Sequence, residues 1–180
     1  MVDINKYTYI PRWIVIWLIL GNLIAGWDAL YVVLRPLSAD GGILSFFFPA
    51  HKLYILRDKR YADDVDAFVV AQAVIGLSEV ILSLFAVGLQ WYSVKRRPLA
   101  CLLALIACVM TSAKTIMYVA IESLDGFKYT KHNNIINLTL YFILPMGLWT
   151  IAPAIAAYDL VKRLDTAMVT VIEDEKNKIK

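Results

Sequence analysis

Residues 11–34, PRWIVIWLILGNLIAGWDALYVVL, decide the fold. From Trp13 to Leu34 the run is apolar apart from Asn22 and Asp28, with glycine at Gly21 and Gly26. About 20 apolar residues cross the hydrocarbon core of a bilayer as a helix, so this stretch predicts a transmembrane helix. Asp28 interrupts it, and an ionisable group in that setting costs about 2.5–3.5 kcal/mol on insertion scales. Such a group is functional by default, and the rest of the chain reads as the container around it.

The composition agrees. The chain has 180 residues, 60% of them hydrophobic and 18% charged, with a mean hydropathy of +0.63. Soluble domains carry about 25% charged residues. Further spans are predicted over residues 65–92, 99–121 and 136–160. With residues 13–34 they make an all-α membrane protein, a four-transmembrane-helix bundle with an intramembrane ligand cavity. Residues 1–164 form that single domain, and residues 165–180 read as a charged, solvated cytosolic tail. A net charge of only +3, with no basic face interleaved with aromatics, argues against a nucleic-acid partner. Cys101 and Cys108 lack metal spacing and read as buried thiols. No basic segment precedes a short apolar core at the N-terminus, so the first span is expected to be retained rather than cleaved.

Four spans place both termini on one side. Lys95, Arg96 and Arg97 crowd the short second connection, and Lys6, Arg12, Lys162 and Arg163 flank the outer spans on the same face. By the positive-inside rule that face is cytosolic. Arg35, Lys52, Arg57, Lys59 and Arg60 lie opposite, in a longer loop that counts for less. Lys176 to Lys180 fit a K-x-K-x-x address for return to the endoplasmic reticulum, so the expected location is that membrane. The loop over residues 35–64 is broken by Pro36, Gly41, Gly42 and Pro49 and carries Phe46, Phe47 and Phe48. It is expected to cover a pocket mouth or to lie on the membrane surface as an aromatic anchor.

Helical spacing decides which polar groups can meet. Gly21, Ala25, Asp28 and Val32 share one face of the first span, and Gln72, Ile75, Gly76 and Glu79 one face of the second. Thr111, Lys114, Thr115 and Tyr118 do so on the third, while Met146, Trp149 and Pro153 follow on the fourth. Counted from the span ends, Asp28 and Lys114 are nearly level and Glu79 lies nearer the midplane. Two acids and a lysine therefore point into one bundle, where pairing is the expected solution. A Lys114–Asp28 or Lys114–Glu79 pair can simply fix helix register. Alternatively, one acid stays protonated in the apolar site and donates its proton. Glu122 is placed at the mouth of the site or, as a helix-end charge, in solvent. His51 and His132 are loop residues without metal-spaced partners and receive no role. Trp13, Trp17, Trp91 and Tyr92 read as interfacial anchors and Trp27 as packing, whereas the deeper Trp149 offers a π face to a cation.

Gly26-Trp27 with Leu30-Tyr31, Arg60-Tyr61, Glu122-Ser-Leu-Asp125-Gly126-Phe127, Leu148-Trp149 with Pro153, and Asp159-Leu-Val-Lys162 together resemble the emopamil-binding protein family. That family of EXPERA domains includes the sterol isomerase of the endoplasmic reticulum and the sigma-two receptor. The resemblance covers residues 15–164 and lacks the isomerase's extra N-terminal span. It implies a tapered cavity, open to lipid, for a sterol-like guest. In the isomerase an acid protonates a ring alkene and a second group removes a neighbouring proton. The family's histidine falls at Gly21, its glutamates at Ala25 and Gln72, its threonine at Ile75 and its asparagine at Met146; Trp149 is retained. Acids reappear nearby at Asp28 and Glu79, and Lys114 replaces a small residue.

The resulting expectation is an isomerase or cyclase acting on a terpenoid- or sterol-like lipid in a secondary-metabolite pathway. Asp28, Glu79 and Lys114 are its candidate catalytic residues. Asn22, Gln72, Thr111, Thr115, Tyr118, Glu122, Met146 and Trp149 are candidate substrate contacts. No metal or organic cofactor is called for. The partners expected are a lipophilic small molecule and membrane lipid, with a homodimer as a possible assembly. A non-catalytic binder or escort of sterols or amines, and a sterol isomerase with a relocated site, are the rival readings.

Overall fold

The computed structural model describes residues 7–64 and 66–179. Lys6, Val65 and Lys180 therefore lie outside the described residues, and with them one flanking charge, the expected start of the second span and the last lysine of the tail address.

Among the described residues the chain is helical without strands. Four stretches are long and apolar enough to cross a membrane: Arg12–Val33, Ala67–Tyr92, Val94–Leu124 and Ile135–Lys178. The long helices within them are α1 (Arg12–Val33), α3 (Ala67–Tyr92), α4 (Arg97–Leu124) and α6 (Leu144–Ile179), with the short α2 (Pro49–Tyr54) and α5 (Ile135–Leu138) in the connections. A π turn at Thr139–Ile143 joins α5 to α6. The protein is a four-helix membrane bundle. Backbone groups without water must bond within their own segment, which is why these apolar runs are helices.

Local signals set the ends. Asp66 caps α3 by accepting from the N–H groups of Phe68 (2.9 Å) and Val69 (3.4 Å). At the end of α4, Gly126 takes φ +65°, and the N–H groups of Gly126 and Phe127 return to the carbonyls of Ser123 (3.1 Å) and Glu122 (2.8 Å). Pro153 sits inside α6 and removes one ladder bond. Nearby, the Ser112 hydroxyl of α4 donates to the carbonyl of Thr150 at 3.0 Å, tying the disturbed turn to its neighbour. Beyond Leu160 the helix does not stop. Residues 165–179, expected as a solvated tail, continue α6 with Ala167 buried.

α1 packs on α3, α3 on α4, and α4 on α6. At the end carrying the termini the core is close-packed around Ile10, Ile14, Leu18, Ala100, Cys101, Ala104, Cys108, Ala156 and Leu160. Small residues on α4 let the backbones approach, as membrane helix pairs require. Both cysteines are buried free thiols, as their spacing implied. The opposite end is wider, with Ala29, Tyr31, Val32, Phe48, Val69, Ala73, Tyr118 and Phe142 around a hollow.

The loop over residues 35–64 closes that end. It folds as a turn at Ser45–Phe47, then α2, then a turn at Lys59–Ala62, so it is an ordered cap. Arg60, 2% exposed, holds it: its guanidinium meets Asp66 (3.1 Å), Glu122 (3.3 Å) and Asp125 (2.8 Å) and lies over the Tyr129 ring. Glu122 is fully buried and also accepts from the Thr130 hydroxyl (2.8 Å) and the Tyr129 N–H (3.1 Å). The expectation of a solvated or mouth-lining Glu122 is thereby corrected. It is the internal counter-ion of a loop clasp, because α4 carries it beneath the cap.

Asp58 is a buried acid of the cap itself. Burial pushes its carboxyl up to about 6, against the hydrogen bonds donated by the Tyr118 hydroxyl (2.7 Å) and the Arg60 N–H (3.1 Å), with Glu122 adding repulsion. The folded chain thus holds this proton more tightly than the unfolded one. Its contribution is present below the unfolded value near 3.8 and is lost as pH rises towards about 6, by at most about 1.4 kcal/mol per pH unit. Asp58→Asn, which keeps an acceptor for Tyr118 but turns its amide N–H groups towards the Arg60 N–H, is expected to flatten the dependence of the thermal midpoint on pH between pH 4 and about 6. A thermal scan of the purified protein across that range checks it.

Candidate functional site

Beneath the cap lies a cavity of about 430 Å³. That is within the usual range for a small-molecule site. α1 contributes Ile24, Ala25, Trp27, Asp28 and Val32; the cap contributes Ala50, His51, Leu53, Tyr54 and Tyr61. α3 adds Val69, Gln72, Ala73 and Gly76, and α4 adds Lys114, Thr115 and Tyr118. Tyr141, Pro145, Met146 and Trp149 close the fourth side. The walls are apolar and aromatic, with a few polar groups, among them Asp28 and Lys114.

The Asp28 Oδ2 accepts from the Tyr61 hydroxyl at 2.8 Å, and its Oδ1 lies 3.1 Å from His51 Nε2. The contact places a proton between Oδ1 and Nε2, and which atom carries it depends on the tautomer. His51 is 3% exposed, stacked on Tyr31 at 4.0 Å and edge-on to Trp27 at 4.6 Å. Its Nδ1 is buried with no hydrogen-bond partner among the described residues, so Asp28 is the polar group on its Nε2 side alone. Burial and the nearby Asp28 carboxyl push the Tyr61 hydroxyl well above its ordinary value, and burial with Asp58 and Asp28 does the same for Tyr54. Tyr61 therefore stays a donor. His51, expected as a loop residue without a partner of its own, is the neighbour of Asp28 in the cavity wall. Its signal was absent from the sequence because a histidine 23 residues from Asp28 meets it only when the cap folds back over α1.

The Lys114 ammonium pairs with Glu79 Oε2 at 3.1 Å, and the Thr111 hydroxyl donates to the same oxygen at 3.1 Å. Of the two pairings open to Lys114, the bundle forms the one with Glu79. Gly76 makes room for it: a methyl group there would lie 3.0 Å from Lys114 Nζ.

The expected site residues therefore divide. Asp28, Lys114, Gln72, Thr115, Tyr118, Met146 and Trp149 line the cavity. Gln72 also donates to the Lys114 carbonyl (3.4 Å), and the Tyr118 hydroxyl is engaged by Asp58. Glu79, Thr111 and Asn22 do not line it; they surround a separate small void behind Lys114, where the Asn22 amide donates to the Leu18 carbonyl. Glu79 is 3% exposed and faces Lys114 rather than a guest. Trp149 meets Trp17 edge-on at 5.6 Å, bridging α6 and α1 below the hollow. Trp27 packs on Phe48 as expected, yet it also forms cavity wall.

The class defined by fold and site is a multi-pass four-helix membrane protein whose hollow is lined by a carboxyl held by an imidazole and a phenol and by a paired lysine. No protein-family profile matches the chain, and no curated protein matches it at a significant level.

Proposed function

We propose that the protein is an intramembrane isomerase or cyclase that starts a carbocation rearrangement by protonating an alkene or epoxide of a terpenoid- or sterol-like lipid. The observation that carries this reading is the Asp28 carboxyl, in the wall of an apolar cavity and held by His51 Nε2 (3.1 Å) and the Tyr61 hydroxyl (2.8 Å). Asp28 delivers the proton, its carboxylate then takes one from a carbon beside the rearranged cation, and His51 Nε2 orients the carboxyl for both transfers. Tyr61 fixes the second oxygen. Trp149 and the Tyr118 ring supply π faces that stabilise a cation once water is excluded. Glu79 acts only through Lys114. The resemblance to the emopamil-binding protein family, with the family's own acids replaced, supports a related cavity with a relocated donor. The charge bias, with Lys95, Arg96 and Arg97 at the junction of α3 and α4 and Lys162 and Arg163 on the same face, supports a cytosolic placement of that face.

The test is incubation of the purified protein with a lipid extract in deuterated water, read by mass spectrometry. Protonation of carbon leaves deuterium in the product; an unchanged extract removes the proposal. A second reading, binding or escort of a cationic amphiphile, is favoured by the aromatic side chains of Trp27, Tyr54 and Tyr61 around the same carboxyl. Saturable amine binding with an unchanged extract selects it. Complementation of an isomerase-deficient cell tests the third reading, a relocated sterol isomerase.

His51 is a positioning residue in this scheme. His51→Gln is expected to lower kcat on the order of 10²-fold with little change in KM, because a misplaced donor loses transition-state alignment. It should also displace the pH–rate profile, a shift that lost packing alone would not produce.

A further inference from the structure

We infer that Lys114 is a docking point for a neutral acceptor oxygen, so the guest is a lipophile with a ketone, ester, ether or epoxide oxygen set apart from the carbon that reacts at Asp28. The inference rests on the reading of Asp28 given above, and concerns the polar group that reading leaves unused. An ammonium has three donors. One meets Glu79 Oε2 at 3.1 Å, while the side chain, 17% exposed, borders the cavity. Donors remain for a guest.

Charge decides which oxygen they take. Lys114 and Glu79 together are neutral, and Glu79 is 3% exposed beneath the lysine. Thr111 reinforces the pairing at the shared oxygen, so Glu79 is held in place. An anionic guest at Lys114 would compete with Glu79 for the ammonium and leave a buried carboxylate without compensation, in a bundle that also holds Asp28. A neutral carbonyl or ether accepts from the free N–H groups and leaves the pair intact. Cavities of this kind use a few placed polar groups to orient an apolar body. Lys114 on α4 and Asp28 on α1 supply two such points on different walls.

The experiment compares three probes on the same carbon chain, farnesylacetone (neutral ketone), the hydrocarbon with a methylene in place of its carbonyl (no oxygen) and farnesylacetic acid (anion), by their quenching of tryptophan fluorescence in the purified protein. The ketone is expected to bind about tenfold or more tightly than the hydrocarbon, and more tightly than the acid. In the Lys114→Met/Glu79→Gln double variant, which strands no buried charge, ketone and hydrocarbon should bind alike. Equal binding of the two by the wild-type protein, a preference surviving in a folded double variant, or tightest binding of the acid would each overturn the inference. Asp28→Asn separates the two proposals: it should retain the ketone preference while losing turnover, and loss of the preference in that variant would place the oxygen at Asp28 instead.

Discussion

Asp28→Asn is expected to abolish conversion of the lipid substrate, by at least about 10² in kcat, the usual contribution of a positioned proton donor. The change is nearly isosteric. Asparagine still accepts from Tyr61 through its carbonyl, so the cap should close over the cavity as before. What is lost is the ionisable proton shared with His51 Nε2 at 3.1 Å. Membrane insertion and thermal stability should therefore stay near the wild-type values while product formation stops. Glu79→Gln makes the contrast. It removes the counter-ion of Lys114 but no donor from the cavity wall, so it should weaken guest binding and retain measurable turnover. Full activity of Asp28→Asn, measured by mass spectrometry of the same extract, would remove Asp28 from the mechanism.

Arg60→Leu is expected to be the most damaging single change to the fold, at about 3–5 kcal/mol, the cost of breaking a buried ion pair by deleting one partner. Three carboxyls lose their cation together: Asp66, Glu122 and Asp125. Glu122 is fully buried and cannot turn to water, and Asp66 also caps α3. The loop over residues 35–64 would then come away from α4, taking with it His51 and Tyr61, the two side chains that hold Asp28. The variant should show a lower thermal midpoint and faster proteolysis at residues 35–64, with the four spans still inserted. An unchanged midpoint would mean that the clasp contributes little. Pairing it with Glu122→Gln tests the origin of the effect, since removing both charges should cost less than removing the arginine alone.

Much of the architecture was legible along the chain. The spans expected over residues 13–34, 65–92 and 99–121 match α1, α3 and α4 to within a few residues. That agreement follows from the bilayer, where an apolar run of sufficient length has only a helix in which to satisfy its backbone. The fourth span, expected over residues 136–160, falls within the apolar stretch Ile135–Lys178, and the helix that carries it runs on to Ile179. Charge at Asp159, Lys162 and Arg163 marks where a membrane helix leaves the hydrocarbon, not where the helix stops; Arg163 in fact bonds Asp159 at 2.9 Å on the same helix face. Asp28 and Lys114 were likewise visible as costly groups on inward faces.

Partnership was not visible. Face and depth bring Asp28, Glu79 and Lys114 into one bundle, but 3.6-residue periodicity does not say which acid the lysine chooses. Nor does it show that His51 and Tyr61, from an irregular segment rich in breakers, reach back to Asp28, or that Glu122 is clasped by an arginine 62 residues earlier. The sequence by itself determined four spans, their polar faces and the presence of ionisable groups among them, because burial in lipid is a local constraint of length and composition. Only the tertiary structure decided which of those groups face the hollow and which neutralise one another, because hydrogen bonds between distant segments depend on how the cap folds across the helix ends, and no local rule carries that information.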